Sequence, residues 1–371
     1  MNYNLGLFII MKIGVLSNFT YPHQGGSEAV IQAVTSQLAN KYNHHINIYS
    51  HSRKRALRGC SIDKFPCAKG DKLISQINEN DHVLVYSDSF WGWDTLVRDI
   101  DKIDCKVSVC LVGAYYMQSH PEIFRLLKQN KHKFNLITHS AGPDYKWAVE
   151  NGLKPHIIPN GVNLSEFSEN KINFRKKYNI SEDKKILLTV GNYFYGKGND
   201  ILPDIYNKIS KIRDDIVCIS ISCTTDYPYD KLFLSKCKNK VKDNNFIFLR
   251  DINREDVVAA FNSSDIFVMP SKKEVAPLVI LESRASGLPW VSMDVGNVKE
   301  QTGGEIIPTF GIDKKGYISV DERGINCFSE SISDILKCEE KKQNIIKEGQ
   351  KDINKIDWKN IVPLYNEVFT S

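Results

Sequence analysis

The sequence predicts an α/β protein built from two doubly wound parallel sheets. Apolar β-type runs alternate with helical patterns along nearly the whole chain, and alternation of this kind implies parallel strands covered on both faces. The twelve candidate strands exceed one ordinary sheet, and turn chemistry interrupts the pattern at Pro159-Asn160-Gly161-Val162-Asn163. At 371 residues the chain is long enough for two or three domains, each able to bury its own core.

Candidate strands of the first half fall at residues 12–17, 45–50, 82–87, 106–112, 135–139 and 156–158. Between the first two, Ala29, Val30, Ala33, Val34 and Leu38 form a helical stripe. A polar, charged stretch over 165–185 then leads into the second half, where candidate strands fall at 185–190, 216–222, 245–249, 266–269, 290–293 and 305–307. The tail, 329–369, reads as helix with a break near Pro363, since proline removes a backbone donor. No repeat of solenoid period and no low-complexity segment occurs. The expected domains are 11–162, 163–350 and a final helical segment 351–371 that returns toward the first domain.

Hydrophobic content of 42% and charged content of 25% are those of an ordinary globular protein. A net charge of +5 is too small to argue nucleic-acid binding by itself, but it suits anionic ligands or membrane surfaces. Nine cysteines include no C-x-x-C pair and no zinc spacing, so reduced thiols in a cytoplasmic protein are expected. No apolar run approaches the roughly 20 residues that cross a bilayer. Leu5–Ile10 lacks a basic segment before it, so a secretory signal is not expected; Met11 reads as the start of the first strand, with residues 1–10 an upstream extension, the favoured reading, or a short anchor.

Three segments carry candidate chemistry. Glu274 and Glu282 stand eight residues apart, the first in a strand-to-helix loop and the second about two turns into the helix. Pro277 suits the first turn of that helix, while Gly287 and Pro289 stop it. Loops at the carboxyl ends of parallel strands bind ligands, and helix N-termini there point free N–H groups at anions. Roughly 9 Å of helix between the two carboxylates (about 1.5 Å rise per residue) matches a ligand gripped at both ends. Spacing alone favours an ordinary βαβ unit with two solvated glutamates. Near the N-terminus, Gly25-Gly26 follows the first strand and Ser27 is a natural N-cap, although most such loops are only tight turns. In the third segment, Val190-Gly191-Asn192-Tyr193-Phe194-Tyr195-Gly196-Lys197-Gly198, a lysine among glycines at a strand end is placed to neutralise phosphate. Seen alone, it also reads as a surface lysine in a loop.

Together these segments resemble the group 1, glycogen-synthase-like (family 4) retaining glycosyltransferases of GT-B fold, two Rossmann-like domains facing across a cleft. Gly25-Gly26-Ser27-Glu28, Pro159-Asn160-Gly161-Val162, Gly191 to Gly198, and Glu274 to Glu282 running into Pro289 match in order, and Trp358 with the last helix suits the family's tail. The resemblance covers residues 11 to 369. It implies a retaining hexosyl transfer from a nucleotide sugar, UDP being the first choice, without an obligatory metal or other cofactor. Glu274 and Lys197 would be catalytic. Gly25, Gly26, Ser27, Asn192, Lys197, Arg250, Leu278, Val279 and Glu282 would bind the donor, with Glu282 on the ribose. Glycine-rich and lysine segments from both domains would line one groove.

Three departures bear on that transfer. Asn192 stands where an arginine commonly pairs with the lysine, so Arg250 or Arg254 is expected to supply the missing charge. Val112, ahead of Gly113, stands where many members carry histidine, with His120 the nearest substitute. Val275 and Pro277 replace frequent glycines, and the proline removes one N–H donor. The acceptor is expected to be a glycan or lipid-linked hydroxyl docking on the first domain. The basic run Arg53-Lys54-Arg55 with Arg58, His51 and Lys64 either faces a lipid phosphate in a peripheral contact at the inner face of a membrane or is a solvated loop. Two other classes share these features: a DNA-modifying glycosyltransferase that lays the basic run on a duplex, and a nucleotide-sugar-binding protein with weak or lost turnover.

Overall fold

The computed structural model describes residues 9–17, 25–50, 62–66, 71–86, 99–112, 121–168, 171–223, 230–241 and 243–371. The basic run from His51 through Arg58, the Lys64 side chain, Gly113 and His120 lie outside the described residues. The chain forms two compact units: Met1–Gly161 with Trp358–Ser371, and Val162–Asp357. Asp357, rather than residue 350, ends the second unit because Val162 pairs with it and donates its N–H to the Ile356 carbonyl at 2.8 Å.

The first unit holds a parallel sheet of β1 (Lys12–Ser17), β2 (His45–Ser50), β3 (Ile62–Pro66), β4 (His82–Tyr86), β5 (Lys106–Leu111), β6 (Phe134–Thr138) and β7 (Pro155–Ile157), ordered β3-β2-β1-β4-β5-β6-β7. Its inner strands are the apolar runs of the sequence, buried on both faces as parallel strands are. β3 escaped the sequence pattern. Its Ile-Asp-Lys-Phe-Pro reads as no apolar run, yet charge and a terminal proline suit the sheet edge it occupies.

The helix after β1 runs Gly26–Tyr42, and its N-cap is Gly25 rather than Ser27. Gly25 is extended and its carbonyl takes the Ala29 N–H at 3.0 Å, which leaves Ser27 inside the first turn. A Cβ at Gly25 would overlap the end of the buried Glu28 side chain, so a larger cap would have to displace that carboxylate.

The final helix, Trp358–Thr370, belongs to the first unit. It runs through Pro363 without the expected break. The Lys359 carbonyl, four residues earlier, loses its helical donor there and takes the Lys41 ammonium at 3.5 Å. Phe369 packs on His82 with centroids 4.7 Å apart, and Asn366 meets the His44 ring at 2.7 Å.

In the second unit β8 (Lys185–Val190), β9 (Ile216–Ser222), β10 (Phe246–Arg250), β11 (Ile266–Met269), β12 (Trp290–Met293) and β13 (Gly304–Ile307) form a parallel sheet ordered β10-β9-β8-β11-β12-β13. Phe174, Ile186, Leu188, Ile205, Ile219, Phe267, Trp290 and Phe328 fill its core, each fully buried and contributing about 1.5–3 kcal/mol. Strand order reverses between β8 and β11. The loops leaving these neighbouring strands flank the switch point, where open α/β sheets place their ligands.

Burial depresses the His82 pKa to about 4, with Lys106 acting in the same direction. The unfolded chain therefore binds the proton more readily, and stability contributed by neutral His82 is present above the unfolded pKa and lost as pH falls. Between pH 7 and pH 5 the loss from His82 is roughly 2 kcal/mol. Buried His139 shifts the same way and adds to it. Urea unfolding at the two pH values should show the decrease, with a smaller one in His82→Gln; equal slopes would contradict a neutral buried histidine.

Candidate functional site

The site of the second unit is built from two loops that follow adjacent strands. After β8 the chain turns through Gly191–Asn192 into a short 3-10 turn, Tyr195–Lys197, closed by Gly198 in the left-handed region at φ +67°. Gly198 lies so close to the Pro270 carbonyl that a Cβ would overlap its oxygen. After β11, Lys272 donates its N–H to the Gly196 carbonyl at 2.8 Å, which ties the two loops together. The Lys272 side chain is only 4% exposed, bonded to Asp200 at 2.7 Å and lying 3.6 Å over the Tyr195 ring. It braces the turn that carries the next lysine.

That lysine meets the first glutamate. Lys197 Nζ stands 2.7 Å and 2.9 Å from the two Glu274 carboxylate oxygens. Glu274 is 10% exposed and Lys197 31%, so the cation retains an open side. Behind them, the Asn297 N–H bonds the Val275 carbonyl at 2.9 Å, and Gly296, at φ +55°, packs where a side chain would strike that carbonyl.

Pro277 is the N-cap of the following helix, Leu278–Ala285. It offers no side-chain acceptor, so the first-turn N–H groups of Leu278 and Val279 remain available to a ligand. Glu282 is the fifth residue of this helix, little more than one turn in rather than two. Its Oε1 accepts from Arg254 Nη1 at 2.5 Å.

Arg254 opens the helix Arg254–Ser263 after β10, capped by the Asn253 side chain. Its Nε also donates to Glu166 at 2.9 Å, and its guanidinium lies over the Phe167 ring at 5.5 Å. Burial works to lower the Arg254 pKa, but the Glu282 and Glu166 carboxylates outweigh it and raise it, so the group stays a cation. Arg250, at the end of β10, donates to the buried Asp230 at 2.5 Å. Both arginines expected to supply charge are thus held by carboxylates. Asn192 turns its Oδ1 toward the Cys223 thiol at 3.0 Å, and its carbonyl takes the Asn199 amide at 2.7 Å.

Lys197, Glu274, Leu278, Val279 and Glu282 therefore belong to one continuous set of strand ends and helix starts, with Arg254 fixed to its far side. Gly25, Gly26 and Ser27 lie in the first unit, at the start of its first helix. Val112 is half-buried after β5. Among the described residues no group of three His, Cys, Asp or Glu side chains could hold a metal ion. Sequence reading missed Lys272 and Gly296, because neither a lysine beside Glu274 nor an isolated glycine announces that it braces a neighbouring loop. Glu166 was missed too, lying in a polar stretch read as a linker.

Residues 170–352 match the family model Glycosyl transferases group 1. Over 215 residues the chain is 28% identical to an uncharacterized glycosyltransferase of Methanocaldococcus jannaschii, covering 56% of this chain and 52% of that one. Over 286 residues it is 23% identical to the Escherichia coli O-antigen biosynthesis glycosyltransferase WclY, covering 73% and 77%. The chain spans about half the length of the first of these relatives, and 32% of the Arabidopsis thaliana sulfoquinovosyl transferase that also matches. Among solved structures, the sucrose-phosphate synthase of Thermosynechococcus elongatus superposes with TM-score 0.74 at 15% identity, over 97% of this chain and 99% of that one. HepE of Anabaena, in complex with UDP and glucose, does so with TM-score 0.74 at 14% identity, over 97% and 100%. These likenesses show the fold, GT-B.

Alanine at Gly198 should strain the left-handed turn by about 1–2 kcal/mol and press on Pro270 besides. At Gly26 a Cβ meets nothing within 4 Å, and alanine there should be neutral or mildly stabilising. Urea unfolding of both variants checks the contrast; a Gly198→Ala protein as stable as wild type would remove the argument that this turn is forced.

Proposed function

We propose that this GT-B protein, whose second unit is a group 1 glycosyltransferase, moves a sugar from a nucleoside diphosphate donor to an acceptor hydroxyl with retention of anomeric configuration. The observation that carries the reading is the Lys197–Glu274 pair, which joins the lysine loop after β8 to the glutamate loop after β11 at 2.7 Å. UDP is the proposed nucleotide, supported by the UDP held in HepE, which shares the fold. The acceptor is proposed to be a glycan or lipid-linked hydroxyl, in line with the relatives named for O-antigen biosynthesis and for phosphatidylinositol N-acetylglucosaminyl transfer. The proposed setting is the cytoplasm, peripheral at the inner face of a membrane. No helix among the described residues is long and apolar enough to cross one.

Each group has a chemical role in this scheme. An ammonium has three N–H donors; two directed at Glu274 leave a third for a diphosphate oxygen. Negative charge grows on that diphosphate as the bond from the anomeric carbon to the phosphate oxygen breaks, so Lys197 binds the transition state more tightly than the ground state. The Leu278 and Val279 N–H groups add a second anion contact, and Pro277 can add none. Glu274 faces the donor sugar and Glu282 takes the ribose hydroxyls. The acceptor oxygen bonds to the anomeric carbon on the face the leaving group vacates, and its proton passes to the leaving phosphate oxygen. Neither a metal nor another cofactor enters the proposed step.

A second reading rests on Asn192, whose side chain is turned to Cys223 and brings no second cation: a protein that binds nucleotide sugars without turning them over. A panel of nucleotide sugars and acceptors, scored for released nucleotide and for product anomer by NMR, separates the two. Transfer with a retained anomer is expected from a UDP-sugar, and an inverted product would overturn the stereochemical assignment. Lys197→Ala should lower kcat strongly. Glu282→Ala should weaken nucleotide binding by about 1–3 kcal/mol. Equal effects of both changes on KM alone would contradict these roles, and binding without release of nucleotide from any donor would favour the second reading.

A further inference from the structure

We infer that Arg254 is a positioning residue that sets the nucleotide site's preference for a ribose bearing its hydroxyls, acting through Glu282; this rests on the assignment of Glu282 to the ribose. All three guanidinium nitrogens are engaged. Nε and Nη2 each stand 2.9 Å from Glu166 Oε2, while Nη1 reaches Glu282 Oε1 at 2.5 Å. Glu166 is itself fixed, its other oxygen taking the Asn163 side-chain amide at 3.2 Å. The ring of Phe167 under the guanidinium packs edge-on against Phe261 at 6.1 Å. The arginine backbone is set by the Asn253 cap, whose side chain takes the Asp256 N–H at 2.8 Å.

A planar fork held at two nitrogens by Glu166 dictates where the partner of its third nitrogen lies. Glu282 Oε1 is pinned, and among the described residues nothing holds Oε2, which is left to accept from a ligand. A carboxylate with both oxygens free would rotate about its terminal torsion and lose entropy on binding a pair of hydroxyls. Two carboxylates, Glu166 and Glu282, also share this one cation, so the fork ties the position of one to that of the other. Lysine would preserve the charge but not the fork, because an ammonium has no fixed direction toward two carboxylates.

Arg254→Lys is therefore the informative variant, with Glu166→Gln as a second that loosens the fork while leaving Arg254 in place. Calorimetric affinities for UDP and for its 2′,3′-dideoxy analogue are compared in wild type and both variants, alongside thermal unfolding of each. Wild type should prefer UDP by about tenfold or more, the worth of hydrogen bonds to a charged acceptor. In Arg254→Lys that preference should shrink to about twofold through weaker UDP binding, with affinity for the dideoxy analogue unchanged; Glu166→Gln should lie between. A structural role alone would weaken both ligands alike and leave the ratio intact. A preserved ratio in both variants overturns the inference while the assignment of Glu282 stands. A wild type with no preference overturns that assignment and the inference with it, and a wild type that binds no nucleotide overturns the proposed function itself.

Discussion

The reversal of strand order between β8 and β11 is the constraint on which the second unit's chemistry depends. Adjacent parallel strands whose connections depart in opposite directions leave their carboxyl ends side by side, with no crossover helix between. The loops that leave them must share that space. One delivers a lysine, the other a glutamate, and the backbone bond from Lys272 to Gly196 fixes their separation before any side chain is considered. The 2.7 Å pair of Lys197 and Glu274 follows from that register.

The same economy of space explains why so many charges in this unit are partly buried and matched. Lys272 would be costly at 4% exposure without Asp200 and the Tyr195 ring, and Arg250 leans on a buried Asp230. Such pairs are weak sources of net stability, since desolvation offsets attraction. Their physical value is direction: a paired charge keeps one orientation. At Lys197 this means an incoming phosphate replaces solvent on an ammonium already oriented, so little reorganisation accompanies the charge that develops in the proposed reaction.

Much of this was legible in the sequence, and the reasons differ by element. Strands such as Lys185–Val190 and Ile216–Ser222 are continuous apolar runs because both faces are buried, and burial leaves a plain signature. Edge strand β3 leaves none, since an edge tolerates charge and proline. Pro363 misled as a helix breaker because the helix is held by its buried face of Ile361, Val362, Tyr365, Val368 and Phe369, and the Lys359 carbonyl meets Lys41 from a segment that no local window contains. In the candidate site, Lys197 and Glu274 stand in the loops where strand-end spacing put them and meet there, and Glu282 lies on the helix that follows. The bracing partners Lys272, Gly296 and Glu166 were not legible, because their role lies in contacts between segments that sequence order separates.

Asn192, Val275 and Pro277 show how the site departs from a phosphate cradle lined with glycines and paired cations. Pro277 withholds one N–H, and Asn192 is committed to Cys223 and Asn199. What remains for an anion is one oriented ammonium and the two first-turn N–H groups of an eight-residue helix. Few contacts of high directionality favour a ligand whose ends are independently fixed, because the phosphate alone is held by too little. Glu282, pinned by Arg254 a little over one turn along the same helix, supplies the second fixed end. In the proposed scheme helix Leu278–Ala285 is then the ruler of the site: its N-terminus would set the anion, its fifth residue would set the hydroxyl acceptor, and its rigidity the distance between them.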